Sequence, residues 1–308
     1  MRRLVLALFV LAFASTGLAQ ATIPAPLPAP ARSFESGSLH VDVYGTPGRR
    51  ALIFIPGLAT GPWEWAGEIA RFSPEYTIYA LTLPGFDGHP AIKTPLFQTV
   101  AADFWTMLQT EAIVKPDLIG HSLGGTLAIM LAEQHSEKLG GVISVDGLPT
   151  FPGMDRMTAD QRAQAGSQMT AAMASITTPA QFEASEKSYI LPNLITSPDD
   201  VAAVAPLTAR SDPAATAAWT LEDLNLDLRK GLTSVTAPLL VIAPYDAVLE
   251  GKVLPDALSK RGYYETLLAN DPAANVQMIE SSRHFIMYDQ PQKLHDAIAA
   301  FLRQHPPG

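Results

Sequence analysis

A mostly parallel β-sheet covered by helices, interrupted by one helical insertion, is the fold class this sequence predicts. Three observations carry that expectation. From Leu39 onward the apolar pattern alternates, every roughly fifteen to thirty residues, between short β-rich runs and helical periods, the pattern of helices packed on a sheet. Several of the β-rich runs are continuously apolar, as expected for strands buried on both faces. From about Leu148 to Ser234 no strand is convincing, and Ala-, Gln- and Met-rich helical pieces are punctuated by Pro152, Pro179, Pro192, Pro198, Pro206 and Pro213. That stretch reads as a helical cap lying over one edge of the sheet. There is no internal repeat.

In chain order, residues 1–21 have the three-part pattern of a secretory signal: Arg2 and Arg3, an apolar run from Leu4 to Phe13, and small residues ending at Ala19-Gln20-Ala21. The apolar run is too short to span a bilayer, which takes about 20 residues as a helix. Cleavage would leave no stable membrane anchor and a periplasmic or secreted protein. Residues 22–33 hold Pro24, Pro26, Pro28 and Pro30 on alternate positions and read as an extended linker. Folding is expected to begin near Phe34, giving a body over 34–308 with the cap inserted at about 148–234.

Within the body the expected strands are Leu39–Tyr44, Ala51–Ile55, Thr77–Leu83, Asp117–Gly120, Gly141–Val145, Leu239–Ala243 and Asn275–Ile279. Helical spacing relates Val100, Phe104, Met107 and Leu108, then Leu123, Leu127, Met130 and Leu131, and finally Leu294, Ile298, Phe301 and Leu302. Asp289, with Gln292 three residues on, is placed to cap the last of these helices.

Composition narrows the function. With 308 residues, 47% hydrophobic and 17% charged, the chain has ample material for a core. Its 21 Lys and Arg against 30 Asp and Glu give a net charge of -9, which argues against a phosphate-backbone binder and so against nucleic acid as a partner. The absence of cysteine excludes disulfides, thiolate metal sites, iron–sulfur clusters and a cysteine nucleophile. With no metal-ligand cluster and no phosphate loop in the sequence, no metal and no organic cofactor is implied.

The strongest chemical signal is Gly120-His121-Ser122-Leu123-Gly124, followed by Gly125, between an expected strand and an expected helix. A serine on such a turn adopts a strained backbone, and flanking glycines remove side chains that would clash. Its hydroxyl then projects above the sheet at a helix N-terminus, where free amides and the dipole favour developing negative charge.

These residues, with Phe54-Ile55-Pro56-Gly57-Leu58, Ala80-Leu81-Thr82-Leu83-Pro84-Gly85-Phe86 and Ser282-Arg283-His284-Phe285, resemble the α/β-hydrolase superfamily over roughly Leu39 to Leu302. The resemblance implies the α/β-hydrolase fold, with an eight-stranded, mostly parallel sheet and a triad in the order Ser, acid, His. It implies His284, in the loop before the last helix, as the base. For the acid it favours Asp246, just beyond Leu239–Ala243; Asp146, at the end of Gly141–Val145, is the rival, although Asp146-Gly147 equally suits a structural turn. It assigns the oxyanion donors to the backbone N–H groups of Leu58 and Leu123. Two departures stand out: Pro56-Gly57 where His-Gly is common, and Pro244-Tyr245 before Asp246 where glycine is frequent. His121, beside the serine on a tight elbow, is expected to pack or bond locally, while His135, His295 and His305 are expected to be solvated. Trp63, Trp65, His89, Met154 and Met157 are candidate pocket residues, and Met169 and Met173 share the Met-rich cap, methionine being suited to adaptable apolar surfaces.

The expected activity is that of an exported serine hydrolase acting on a small or medium carboxylic ester through an acyl-enzyme, its partner a small-molecule acyl substrate. The same triad serves an aminopeptidase resembling the proline iminopeptidases, a carbon–carbon bond hydrolase or a perhydrolase. A non-catalytic ligand-binding protein on a hydrolase scaffold is the alternative of another class. Serine at the elbow argues against dehalogenases and epoxide hydrolases, which use aspartate. Nothing in the sequence fixes an oligomeric state.

Overall fold

A computed structural model describes residues 25–93 and 95–306. The signal segment 1–21 lies outside the described residues. Eight strands form one sheet: β1 Arg32–Ser36, β2 Leu39–Gly45, β3 Ala51–Ile55, β4 Thr77–Thr82, β5 Asp117–His121, β6 Gly141–Val145, β7 Leu239–Tyr245 and β8 Asn275–Glu280. Their order is β1-β2-β4-β3-β5-β6-β7-β8. β2 runs antiparallel to β1 and β4, and every other neighbouring pair is parallel. All seven expected strands are present within a residue or two of their expected limits.

The eighth strand begins inside the expected linker. Ala31 donates its N–H to Val43 O at 2.8 Å, and β1 starts at Arg32, so folding begins before Phe34. Leu27 is already packed against the core. The residues of β1 are mostly exposed, as fits a short polar edge strand that protects the sheet from further pairing.

The central strands β3, β5 and β6 are buried along their whole length and separate two apolar layers. Ile53, Ile55 and Leu118 belong to one layer, with Phe97, Phe104 and Leu127 from the helices Leu96–Thr110 and Leu123–His135. Leu52, Phe54 and Ile119 belong to the other, with Trp65, Ile69 and, from the helix Pro291–Gln304, Leu294, Ile298 and Phe301. The two layers are the physical reason these strands read as continuous apolar runs.

The expected cap on the last helix is not formed. That helix begins at Pro291 without a side-chain cap. Asp289 instead accepts from the Thr196 N–H at 2.9 Å, the Thr196 hydroxyl at 2.6 Å and the Arg283 N–H at 2.7 Å. Its carboxylate therefore joins the cap segment to the loop before His284.

Between β6 and β7 the chain is helical, including Ala159–Ala171, Pro179–Ser185, Pro198–Thr208 and Pro213–Asn225. Only one isolated bridge, Thr150 to Asp227, is found there among the described residues. Because it leaves the sheet after β6, the cap lies over the carboxyl ends of the central strands.

Candidate active site

Ser122 sits between β5 and the helix Leu123–His135 with φ 52° and ψ -120°. This is a costly conformation for a residue with a side chain. It is held by neighbours on both sides: Ser122 N–H donates to Val145 O at 2.8 Å, and Thr126 N–H donates to Ser122 O at 2.9 Å. The glycines make the turn possible. A Cβ on Gly120 would overlap Gly124 O, and one on Gly124 would overlap Ile55 O.

His284 Nδ1 lies 2.6 Å from Asp146 Oδ2. The other Asp146 oxygen accepts from the Tyr264 hydroxyl at 2.6 Å. Burial pushes the Asp146 carboxyl up, but the bond and charge of His284, with Lys260 and Tyr264, outweigh it and hold it below the usual carboxylate range. Burial lowers His284 from its ordinary value, offset only in part by Asp146, so the imidazole is a neutral acceptor at pH 7. With Nδ1 committed to Asp146, Nε2 is left as the free nitrogen.

The expectation that Asp246 orients His284 is corrected by this geometry. Asp246 accepts from Arg283 Nε at 2.7 Å and caps the short helix Ala247–Glu250 through Val248 N–H at 2.9 Å. Burial raises its carboxyl, yet Arg283 and the Val248 amide bring it below its ordinary value. Arg283 also donates to Pro192 O at 2.5 Å and Ile195 O at 3.2 Å. Asp246 thus anchors an arginine that ties the cap to the His284 loop.

Leu58 follows β3 in the loop 56–61, and Leu123 opens its helix, where the first amides have no intrahelical acceptor. The loop is braced from beneath. Gly57 N–H donates to Glu64 Oε1 at 2.9 Å, and the Thr60 hydroxyl donates to Gly57 O at 2.9 Å. Glu64 Oε2 faces His121 Nδ1 at 3.3 Å, and His121 Nε2 lies 3.2 Å from His284 O. His121 thus bonds locally, as expected of it. Glu64 was not anticipated; a lone acid inside the apolar context Pro62-Trp63-Glu64-Trp65 is the signal that could have found it.

Ser122, His284, Asp146, Leu58 and His121 line one cavity of about 460 Å³ between the strand ends and the cap. A volume of that order is typical of small-molecule sites, about 300–1,000 Å³. Of the candidate pocket residues, none of the five is in its lining. Trp65 is fully buried against Phe54, Trp63 is 5% exposed in the same apolar layer, and Met154 is buried elsewhere. Met157 lies beside Arg156 in a shallow surface depression, and His89 stacks on His40 at 4.2 Å. The cap methionine that reaches the cavity is Met173, whereas Met169 is exposed. Met173 and Ile176 also line a wider groove of about 610 Å³ on the outside of the cap, so they form the wall between the two spaces. His295 is not simply solvated, since its Nδ1 meets buried Glu68 at 2.8 Å.

Residues 52–297 match the family described as "Alpha/beta hydrolase family". The chain belongs to the alpha/beta hydrolase family. Within the family it is similar to 2-succinyl-6-hydroxy-2,4-cyclohexadiene-1-carboxylate synthase of Escherichia coli (strain SMS-3-5 / SECEC), at 32% identity over 119 residues, 39% of this chain and 47% of that protein. The chain thus spans about half the length of the curated relatives it matches. Its fold is similar to that of a hydrolase from Pseudomonas aeruginosa PA01, with TM-score 0.70 and 17% identity over 86% of this chain and 94% of the other. It is likewise similar to a thermophilic esterase from Thermogutta terrifontis (malate bound), with TM-score 0.69 and 18% identity over 90% of this chain and 100% of the other.

Proposed function

We propose that this alpha/beta hydrolase is an exported serine hydrolase that cleaves a small or medium carboxylic ester through an acyl-enzyme. The observation that carries the reading is Ser122, held at φ 52° on the elbow and facing the same cavity as His284, whose Nδ1 is 2.6 Å from Asp146. Ser122 Oγ attacks the acyl carbon while His284 Nε2 takes its proton. Asp146 holds the ring in that tautomer and stabilises the imidazolium that forms. The backbone N–H groups of Leu58 and Leu123 receive the developing oxyanion. The proton on His284 goes to the leaving alcohol, and water, activated by the same base, then releases the acid.

The relatives' chemistry is varied, and the cavity lining bears on whether the substrate carries a carboxylate. The name of the E. coli relative specifies a carboxylate, and the Thermogutta esterase holds malate. No Lys or Arg is among the described residues lining this cavity to meet such a group. The export part of the proposal rests on Arg2, Arg3, the Leu4 to Phe13 run and Ala19-Gln20-Ala21.

Intact mass after treatment with a fluorophosphonate probe tests the chemistry. One adduct is expected on the native protein and none on Ser122→Ala; no adduct on the former, or an equal one on both, would sink the reading. N-terminal sequencing of protein recovered from its native host tests export, and a sequence starting at Met1 would refute it.

A further inference from the structure

Two carboxyl groups that take no part in the proposed triad also line the cavity. Glu186 opens a π-helical turn, Glu186–Ile190, which follows directly on the helix Pro179–Ser185. Turns of that kind are rare and are often found at functional sites. Asp223 lies in the last turn of the helix Pro213–Asn225. Glu186 is only 9% exposed and Asp223 is half-buried, and neither side chain has a hydrogen-bond or ion-pair partner among the described residues. Burial alone pushes each carboxyl up to about 7. Neither is perturbed by the other, so they are two separate positions on the cavity wall.

An unpartnered carboxyl in an apolar enclosure is expensive, and buried acids are ordinarily paired or hydrogen-bonded. The other acids and bases at this site follow that rule. Asp146 is engaged by His284 and Tyr264, and His121 by Glu64. The cavity that Glu186 and Asp223 line also has Phe182, Leu191 and Leu194 together with the hydroxyl residues Ser185, Thr216 and Thr220 in its wall, and no Lys or Arg among the described residues. Both carboxyls face the cavity, so a ligand there can supply the partner that the walls lack. A protonated amine supplies it, since it brings both the positive charge and the N–H donor that the walls lack, in a space where water screens poorly.

We propose that the cavity selects an ester whose acyl or alcohol part carries a protonated amine, held by the Glu186 carboxylate, with Asp223 adding negative charge at a separate position on the wall. This inference rests on the serine hydrolase reading and names its substrate class. A carboxylate-bearing substrate would instead meet two acids and no cation. The amine occupies the cap side of the cavity, so the ester carbon is left at Ser122 on the sheet side.

The test uses two pairs of esters that differ only in charge. On the alcohol side the pair is 2-(dimethylamino)ethyl butyrate and its uncharged isostere 3-methylbutyl butyrate. On the acyl side it is ethyl 4-(dimethylamino)butyrate and ethyl 5-methylhexanoate. Proton release is followed in a pH-stat at pH 8, with fluorophosphonate labelling of the same preparation. In at least one pair the cationic ester is expected to have kcat/KM about tenfold or more above its isostere, carried mainly by KM, the discrimination of one desolvated charge pair. In the Glu186→Gln, Asp223→Asn double variant that ratio falls toward one. The double variant is expected to melt no lower than the native protein, because the change removes one buried and one half-buried acid, neither of them paired. Cleavage of the neutral esters with no cationic preference in either pair, or a preference that survives the double substitution, overturns the inference and leaves the hydrolase reading standing. Absence of both turnover and labelling overturns the reading and the inference with it.

Discussion

Asp146 and Asp246 stand at the ends of adjacent parallel strands, and exchanging each for asparagine separates their roles. Asp146 makes two bonds of 2.6 Å, one to His284 Nδ1 and one to the Tyr264 hydroxyl. Asparagine keeps the shape but can turn an NH2 toward Nδ1, which forces the ring proton onto Nε2 and removes the acceptor that Ser122 needs. The imidazolium formed on attack also loses its counter-charge. By analogy with other triads the cost in kcat is about 10³–10⁴-fold, roughly 4–5.5 kcal/mol at about 1.4 kcal/mol per tenfold. Asp246→Asn retains an oxygen to accept from Val248 N–H, and Arg283 retains Pro192 O and Ile195 O. Turnover should therefore stay within about threefold, with the effect falling on melting temperature as a partly exposed ion pair is lost. Steady-state hydrolysis of p-nitrophenyl butyrate by the two variants, with thermal melts to show that both are folded, makes the comparison. A larger loss of kcat in Asp246→Asn, or equal losses, would refute the assignment.

Because burial lowers His284 below its ordinary value, the base loses its acceptor capacity only when protonated at lower pH. The kcat/KM profile for an uncharged ester should hold its plateau down through pH 7 and fall with a midpoint below about 6.5, the unperturbed histidine value; a midpoint above 7 would contradict the neutral imidazole. Tyr264→Phe removes one donor to Asp146 and is expected to reduce kcat by about tenfold, the scale of one charge-assisted hydrogen bond, with little change in KM. Glu64→Ala leaves His121 Nδ1 and Gly57 N–H without their shared acceptor and should cost about 3–5 kcal/mol in urea unfolding. Asp117→Ala strands Arg50, which donates from Nε and Nη2 to that fully buried carboxylate, and a loss of about 3–5 kcal/mol without a change in KM is expected.

Most of the sheet was legible because burial on both faces writes itself into the chain as an uninterrupted apolar run, as at Ala51–Ile55 and Gly141–Val145. β1 was not, since Arg32-Ser33-Phe34-Glu35-Ser36 is an edge strand with polar residues and alternate prolines before it. The elbow was legible because its demands are local: a serine, a positive φ and glycines that clear the turn. The acid is a different kind of problem, settled by which loop end approaches His284. The register of the sheet shows why. If β5 and β6 are parallel neighbours, the residue after Val145 lies beside the residue after His121, and the register pairs those two. Asp146 is therefore next to Ser122, with a φ of 53° that asparagine and aspartate adopt more readily than most residues. The tryptophans misled for the opposite reason, since their size suited the space under the loop as well as a pocket wall.

The departure at Pro56-Gly57 becomes intelligible through Glu64. A loop expected to supply an oxyanion donor must be rigid before the charge develops, because reorganisation during the reaction would cost what the donor contributes. Here the bracing comes from one buried carboxylate that accepts the Gly57 N–H at 2.9 Å and faces His121 Nδ1 at 3.3 Å. The opposite ring nitrogen of His121 lies 3.2 Å from His284 O, so both nitrogens face acceptor oxygens. Gly57 fits this arrangement closely, for a Cβ there would stand 2.8 Å from His121 Nδ1. The residue before the serine thus links three segments that must keep register: the elbow through its own backbone, the oxyanion loop through Glu64, and the base loop through the His284 carbonyl. A histidine in the loop is unnecessary once the elbow histidine and Glu64 hold it from below, which leaves position 56 free to be proline.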